Sequence, residues 1–249
     1  MSALILFTDG SYAFLEGVFP YSQGVVAMPG FAIERARFAR PVPVAQGFDF
    51  IANYLKQIQR PLTALCAAEL RSPKPFTFAG FDDFNQGYVA VLEEWGLYRG
   101  GKNPVARSNV APEMDPPAEP CFHAFSYTVP SKETGSFVVA GSGEWPEGGR
   151  FPEDIVARGD VSPSGMAKKA DWVLGMMDSR LKGLSVSWDR ATVTQLYTVE
   201  KIENLVKKIQ KHIRPSCLTW HYCRPPVAGL EFEMDLRGVA VERVLPEFP

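Results

Sequence analysis

Phe19-Pro20-Tyr21-Ser22-Gln23-Gly24-Val25 joins an apolar N-terminal segment to a β-prone one. An aromatic residue, a turn-forming proline and two polar residues lead here into a strand. Two later stretches give this one its weight. Phe84-Asn85-Gln86-Gly87-Tyr88 lies within a helical pattern, and Pro104-Val105-Ala106-Arg107-Ser108-Asn109-Val110 follows it.

Outward from that stretch, the chain reads as two similar halves, a pattern of internal repetition. In the first half, Phe48, Ile51, Tyr54, Leu55 and Ile58 recur at helical spacing over 48–59. A β-prone run follows over 62–70, then a second helix over 81–95 carrying Phe84, Tyr88, Val91, Leu92 and Trp95 on one face. Strands are predicted at 105–111 and 121–129. In the second half a strand is predicted at 137–141 and a helix from about 164 to 181, with Ser162-Pro163 as its start signal. A β-branched run over 191–197, a helix over 199–212 and strands at 217–223 and 230–239 complete it. The last strand alternates Leu230, Phe232, Met234 and Leu236 with Glu231, Glu233, Asp235 and Arg237, which predicts one buried and one solvated face. The basic, proline-bearing segment 24–47 has no assignable register. The segments 98–104, 111–120 and 143–163 read as loops, the last long enough for a lid or an interface arm.

The 249 residues are 46% hydrophobic and 22% charged, with a formal net charge of −2. That balance gives no electrostatic reason to expect nucleic acid. No apolar run approaches the ~20 residues of a membrane-spanning helix. The N-terminus lacks the basic region of a signal peptide, so a cytoplasmic location is expected. Cys66, Cys121, Cys217 and Cys223 form no C-x-x-C and read as reduced thiols. Three histidines without a Cys/His cluster argue against a metal site, and no phosphate-binding or nucleophile-elbow motif is present. No cofactor is expected.

The three quoted motifs, in that order, resemble the RidA (YjgF) family of small proteins that bind carboxylates and hydrolyse enamines and imines. The resemblance implies an α+β fold of two RidA-like, chorismate-mutase-like units, residues 1–130 and 131–249. Each would be a mixed sheet with two helices packed on one face. It also implies a trimer-type homo-oligomer and a small-molecule carboxylate substrate.

By the same resemblance, Arg107 holds the substrate carboxylate, and an Arg is suited to this by its rigid, bidentate fork. The alternative for Arg107 is a structural ion pair with Glu113 or Asp115. The family's water-activating Glu has no counterpart in the first half, where Phe122 and His123 stand near its place. Glu231 matches it in the second half, where the Arg position falls near Ser216, with Arg214 nearby. One composite cleft per chain, with Arg107 and Glu231 from different halves, is therefore expected. Alternatively, Glu231 is only the polar side of an amphipathic strand, as Glu233 is. Gly141 and Ser142 resemble the family's ligand-binding Ser-Gly step, Asn85 its helix Asn, and Tyr21 and Ser22 its Pro-Tyr-Ser-Gln. Each reads equally as turn, helix surface or core. His123 and His221 are candidate bases or hydrogen-bonded sheet residues. The expected chemistry is hydrolysis of an enamine or imine of a small carboxylate, such as an aminomuconate, by Arg107 and by Glu231 or His123. A chorismatase-type hydrolase and a non-catalytic carboxylate-binding protein are the alternatives.

Overall fold

The computed structural model describes residues 2–212 and 217–246. Arg214 and Ser216 lie outside them. The chain begins with three short strands, β1 (Leu4–Phe7), β2 (Tyr12–Leu15) and β3 (Gly24–Ala27). A long strand β4 (Phe31–Pro43) leads to α1 (Val44–Gln57), β5 (Leu65–Arg71), α2 (Phe78–Glu94), β6 (Ala106–Pro112) and β7 (Cys121–Pro130). Then come β8 (Phe137–Gly143), α3 (Pro163–Gly183), β9 (Val193–Tyr197), α4 (Glu203–Ile209), β10 (Leu218–His221), β11 (Cys223–Arg224), β12 (Glu233–Gly238) and β13 (Glu242–Leu245).

Local chemistry explains the helices. The Thr77 hydroxyl caps α2 by accepting from the Gly80 N–H at 3.0 Å. Ser162 caps α3 through the Gly165 N–H at 3.2 Å, Pro163 follows it, and Arg180 and Lys182 face the negative end of the helix dipole. Phe48, Ile51 and Leu55 of α1 and Tyr88, Val89 and Leu92 of α2 are buried together against β5 and β7. Met166, Ala170, Val173, Leu174 and Met177 of α3 pack with Leu205 and Ile209 of α4 against Phe137, Val139, Met234 and Leu236.

Among the described residues the thirteen strands form two mixed sheets. One runs β1-β2-β3-β8-β12-β9-β10 and the other β11-β6-β5-β7-β4-β13. Residues between them, including Tyr12, Phe14, Val25, Ile33, Ala67 and Ala106, form a third core. The expected pair of RidA-like units is corrected here, because the sheets exchange strands. β3, from the start of the chain, adds antiparallel to β8, with Val25 opposite Val138. β13, from its end, adds parallel to β4, with Arg243 opposite Ala36. Short strands are not stable alone and settle on whichever sheet edge is open. Neither half therefore holds a complete sheet. The unplaced segment 24–47 is β3 and β4, and the latter follows β7 with a register shift between Arg37 and Val42.

The exchange also buries charge. On β12, Glu233, Asp235 and Arg237 are each 5% exposed or less. The expected solvent face of this strand is in fact turned toward the other sheet. Arg35 donates to both Glu69 oxygens, at 2.6 and 2.7 Å, and Arg237 pairs with Glu242 at 2.7 Å.

Candidate functional site

β6 pairs with β5 from Ala106 to Val110, while on its other edge β11 reaches only Ala111 and Pro112. Beside the part of that edge left open lies a cavity of about 70 Å³, enough for a few waters or a small planar ligand. Tyr21, Phe81, Arg107, Asn109, Gly141 and Glu233 line it, together with Phe78, Trp145 and Phe151.

Arg107 is 3% exposed and donates through Nη2 to Asn85 Oδ1 at 2.6 Å. Its guanidinium carbon lies 4.8 Å from the ring centre of Tyr88, 5.4 Å from Tyr21 and 5.5 Å from Phe81. Its Nη1 has no partner. Burial pushes its pKa down, yet a guanidinium stays protonated. Several other buried cations are paired with carboxylates: Arg35 with Glu69, Lys169 with Glu144, Arg180 with Glu147. Arg107 has no such pair among the described residues. An uncompensated buried cation is costly and attracts an anion. Two residues along the same strand, Asn109 leaves its Nδ2 without a partner as well. Both free donors belong to residues of the cavity wall.

Glu233 supplies the opposite element. Burial raises its pKa well above the carboxylate range, and the Asp235 carboxylate raises it further, against the pull of Arg180 and Arg71. Asp235 is fixed by three donors: Ser108 Oγ at 2.6 Å, Gln195 Nε2 at 2.8 Å and the Tyr197 hydroxyl at 2.9 Å. Glu233 is thereby pushed toward the neutral form, and it faces the cavity. Gly141 permits its approach, since a Cβ there would collide with Glu233 Oε1.

The long loop after β8 is pinned beside this arrangement. Glu144 and Lys169 are fully buried and paired at 3.0 Å, and Glu144 also accepts from the Glu231 and Phe232 N–H groups. Glu147 pairs with Arg180 at 2.7 Å and accepts from Gln23 Nε2 at 2.7 Å. Arg180 donates in turn to the Ala140 and Gly141 carbonyls. The loop also carries two aromatic rings of the wall. Phe151 stacks on Phe78 at 4.9 Å, and Trp145 meets Phe151 edge-on at 5.6 Å.

The family model described as 2-aminomuconate deaminase CnbZ matches residues 4–243. The chain belongs to the CnbZ family. It is also 47% identical over 252 residues to a 2-amino-5-chloromuconate deaminase of Comamonas testosteroni, covering 98% of this chain and all of that one. A crystal structure of chorismatase superposes with a TM-score of 0.52 at 12% identity, over 96% of this chain and 86% of the other. At that identity the likeness shows the fold alone, which is chorismatase-like. The CnbZ match replaces the RidA assignment, and the strand-exchanged double sheet replaces the two-unit fold that came with it.

Within this CnbZ family chain, Arg107, Tyr21 and Gly141 of the sequence-derived residues line the cavity, and Asn85 holds Arg107. Arg107 does not pair with Glu113, which binds Arg224 instead. Ser22 is fully buried, donates to the Pro104 carbonyl at 3.1 Å and bridges to Ala106, so it fastens the turn to β6. Ser142 lies opposite Met234, a residue of the α3 core. Glu231 and His123 are not among the lining residues. Glu231 is half-buried, with its pKa raised by burial and by Glu144. His123 is pushed down to about 3 by burial and by Arg71, and is neutral. His221 stacks on Tyr197 and shares a hydrogen bond with Gln195. Sequence reasoning missed Glu233, Asn109, Trp145 and Phe151. For Glu233 the alternation over 230–239 gave no signal that set it apart from Glu231. Among the described residues no cluster of His, Cys, Asp and Glu is placed to hold a metal, and no helix is long and apolar enough to cross a membrane.

Proposed function

We propose that this chain is an enzyme that hydrolyses the enamine of 2-aminomuconate or a close analogue, releasing ammonia. One observation carries the reading: a buried Arg107 with no carboxylate partner and a buried Glu233, whose burial favours the neutral form, line one small cavity. The substrate class comes from the family description and from the Comamonas relative's name.

Arg107 Nη1 and Asn109 Nδ2 take the carboxylate beside the amino-bearing carbon. Glu233, as the acid, gives its proton to the enamine carbon, and the C–N bond becomes an iminium. The proton goes to the carbon β to nitrogen, and the Glu233 carboxylate so formed takes a proton from water as the water oxygen adds to the nitrogen-bearing iminium carbon. The resulting carbinolamine collapses: its hydroxyl proton passes to nitrogen, the C–N bond breaks, and a ketone and ammonia leave. Enamine and water are consumed and Glu233 ends protonated, so the cycle closes. A general acid–base group of this kind is worth ~10²–10⁴ in rate. The rings of Phe78, Trp145 and Phe151 exclude bulk water and suit a flat, conjugated chain.

The test uses the full chain and 2-aminomuconate, with ammonia release and loss of the conjugated absorbance as readouts. Glu233→Gln lowers kcat, Arg107→Met raises KM, and Glu231→Gln retains near wild-type turnover. Wild-type turnover by E233Q would sink the assignment.

A further inference from the structure

Two side chains of β6 bring a free donor to the cavity wall, and each is held by a different neighbour. Asn85 on α2 takes Nη2 of Arg107 at 2.6 Å, which leaves Nη1. Ser72, the residue after β5, holds Asn109: its hydroxyl donates to Asn109 Oδ1 at 2.9 Å, which leaves Nδ2. Ser72 is fully buried and is not among the lining residues. The proposed reaction does not use it directly.

The strand register fixes where Ser72 stands. β5 and β6 run parallel, with Leu70 beside Asn109 and Arg71 beside Val110. The Ser72 N–H continues that ladder by donating to the Val110 carbonyl at 2.9 Å. Ser72 and Asn109 thus lie on the same side of the pair, because side chains two residues apart share a face. An amide has an acceptor end and a donor end of nearly the same shape, so its neighbours decide which end points where. Here the Ser72 hydroxyl satisfies Oδ1 and the donor end is left over. A purely structural amide in this buried place would have both ends bonded, since an unmade bond is costly there. Nδ2 of Asn109 is buried and has none. Without the hydroxyl, Oδ1 would lack its donor, and Arg107 Nη1, a free donor of the same wall, would compete for it.

We infer that Ser72 is a positioning residue for carboxylate binding: by holding Asn109 Oδ1 it presents Nδ2, beside Arg107, as the second donor to the bound carboxylate. The inference rests on the proposed function for its choice of a carboxylate as the group bound there.

The test titrates trans,trans-muconate, an unreactive conjugated carboxylate, into the full chain by calorimetry. Ser72→Ala weakens muconate roughly tenfold, the weight of one hydrogen bond to a charged group. Ser72→Thr keeps the hydroxyl and restores most of the affinity. In an Asn109→Ala background Ser72→Ala changes nothing further, because the hydroxyl has no amide left to hold. With 2-aminomuconate, Ser72→Ala raises KM by a similar factor while kcat holds, since Glu233 is untouched. A general loss of structure would lower kcat and would add to the effect of Asn109→Ala. Wild-type muconate affinity in Ser72→Ala would overturn the inference, as would a Ser72→Ala change that weakens the Asn109→Ala protein by the same factor as the wild type. A wild type that binds no muconate would overturn it too. Should Ser72→Ala not fold, Ser72→Cys takes its place: it is close in shape, its thiol is a weak donor, and the same loss is expected. The two readings fail separately. Ser72-dependent muconate binding without ammonia release would leave Ser72 assigned and refute the proposed reaction. Glu233-dependent ammonia release with muconate affinity indifferent to Ser72 would do the reverse.

Discussion

Replacing Glu233 by Gln should change how stability depends on pH, with a sign and slope set by burial. Glu233 is 3% exposed, and its pKa in the fold is raised well above the ordinary 4.5. In the unfolded chain it ionises near that ordinary value, whereas in the fold it keeps its proton. Above pH 4.5 the folded state therefore binds one more proton than the unfolded state. Wild-type stability must fall as pH rises, by about 1.4 kcal/mol per pH unit from this group, until the folded pKa is reached. Gln keeps the shape and cannot ionise, so this contribution vanishes in the variant. The stability difference between E233Q and wild type should then shift in favour of E233Q with pH, by that slope, from about pH 5 upward. Urea unfolding at half-unit steps between pH 5 and 8 measures it, with Glu231→Gln as the half-buried comparison. A difference between E233Q and wild type that stays flat across this range would refute the claim that Glu233 is un-ionised in the fold. The acid step of the proposed mechanism would go with it.

The remaining predictions concern the groups around the cavity. Lys169→Met leaves Glu144 buried without its cation and should cost about 3–5 kcal/mol in urea unfolding, since removing one member of a buried pair strands the other. Asn85→Leu removes the group that orients Arg107, so KM for the enamine should rise about tenfold or more, the weight of one hydrogen bond to a charged group, with a smaller change in kcat. Gly141→Ala forces Glu233 Oε1 aside and should cost roughly 1–3 kcal/mol in stability, with a fall in kcat beyond what the lowered Tm explains.

Much of the fold was legible in the chain because its signals are local. The helices at 48–59, 81–95 and 164–181 are found as Val44–Gln57, Phe78–Glu94 and Pro163–Gly183, with apolar spacing and the Ser162 cap as the guides. Strands β5 to β9 follow from β-branched and apolar runs in the same way. Segment 24–47 was not legible, because β3 and β4 pair with β8 and β7, about 100 residues away in sequence. β13 was missed for a similar reason. Glu242-Arg243-Val244-Leu245 has little strand character of its own and is ordered by the edge of β4. In the site, Arg107 stood out through the RidA-like stretch Pro104-Val105-Ala106-Arg107-Ser108, where its fork suits a carboxylate. The RidA resemblance pointed to Glu231, and nothing corrected it because adjacent alternating carboxylates look alike until the facing layer is known.

The sequence alone determined that β12 places Glu233, Asp235 and Arg237 on one side and Met234 and Leu236 on the other, because successive side chains of a strand point to opposite faces. It likewise determined that Arg107 and Asn109 share a face of β6, and that Tyr21 sits in the turn before β3. Only the tertiary structure decided what that charged face meets. A second sheet lies over β12, completed by strands from the opposite end of the chain, so Glu233 and Asp235 are dry and close to one another. Water would have left both carboxylates ionised. In the low-dielectric layer between two sheets the charged form is penalised, and Glu233 is pushed toward the neutral form beside an arginine that has no carboxylate partner.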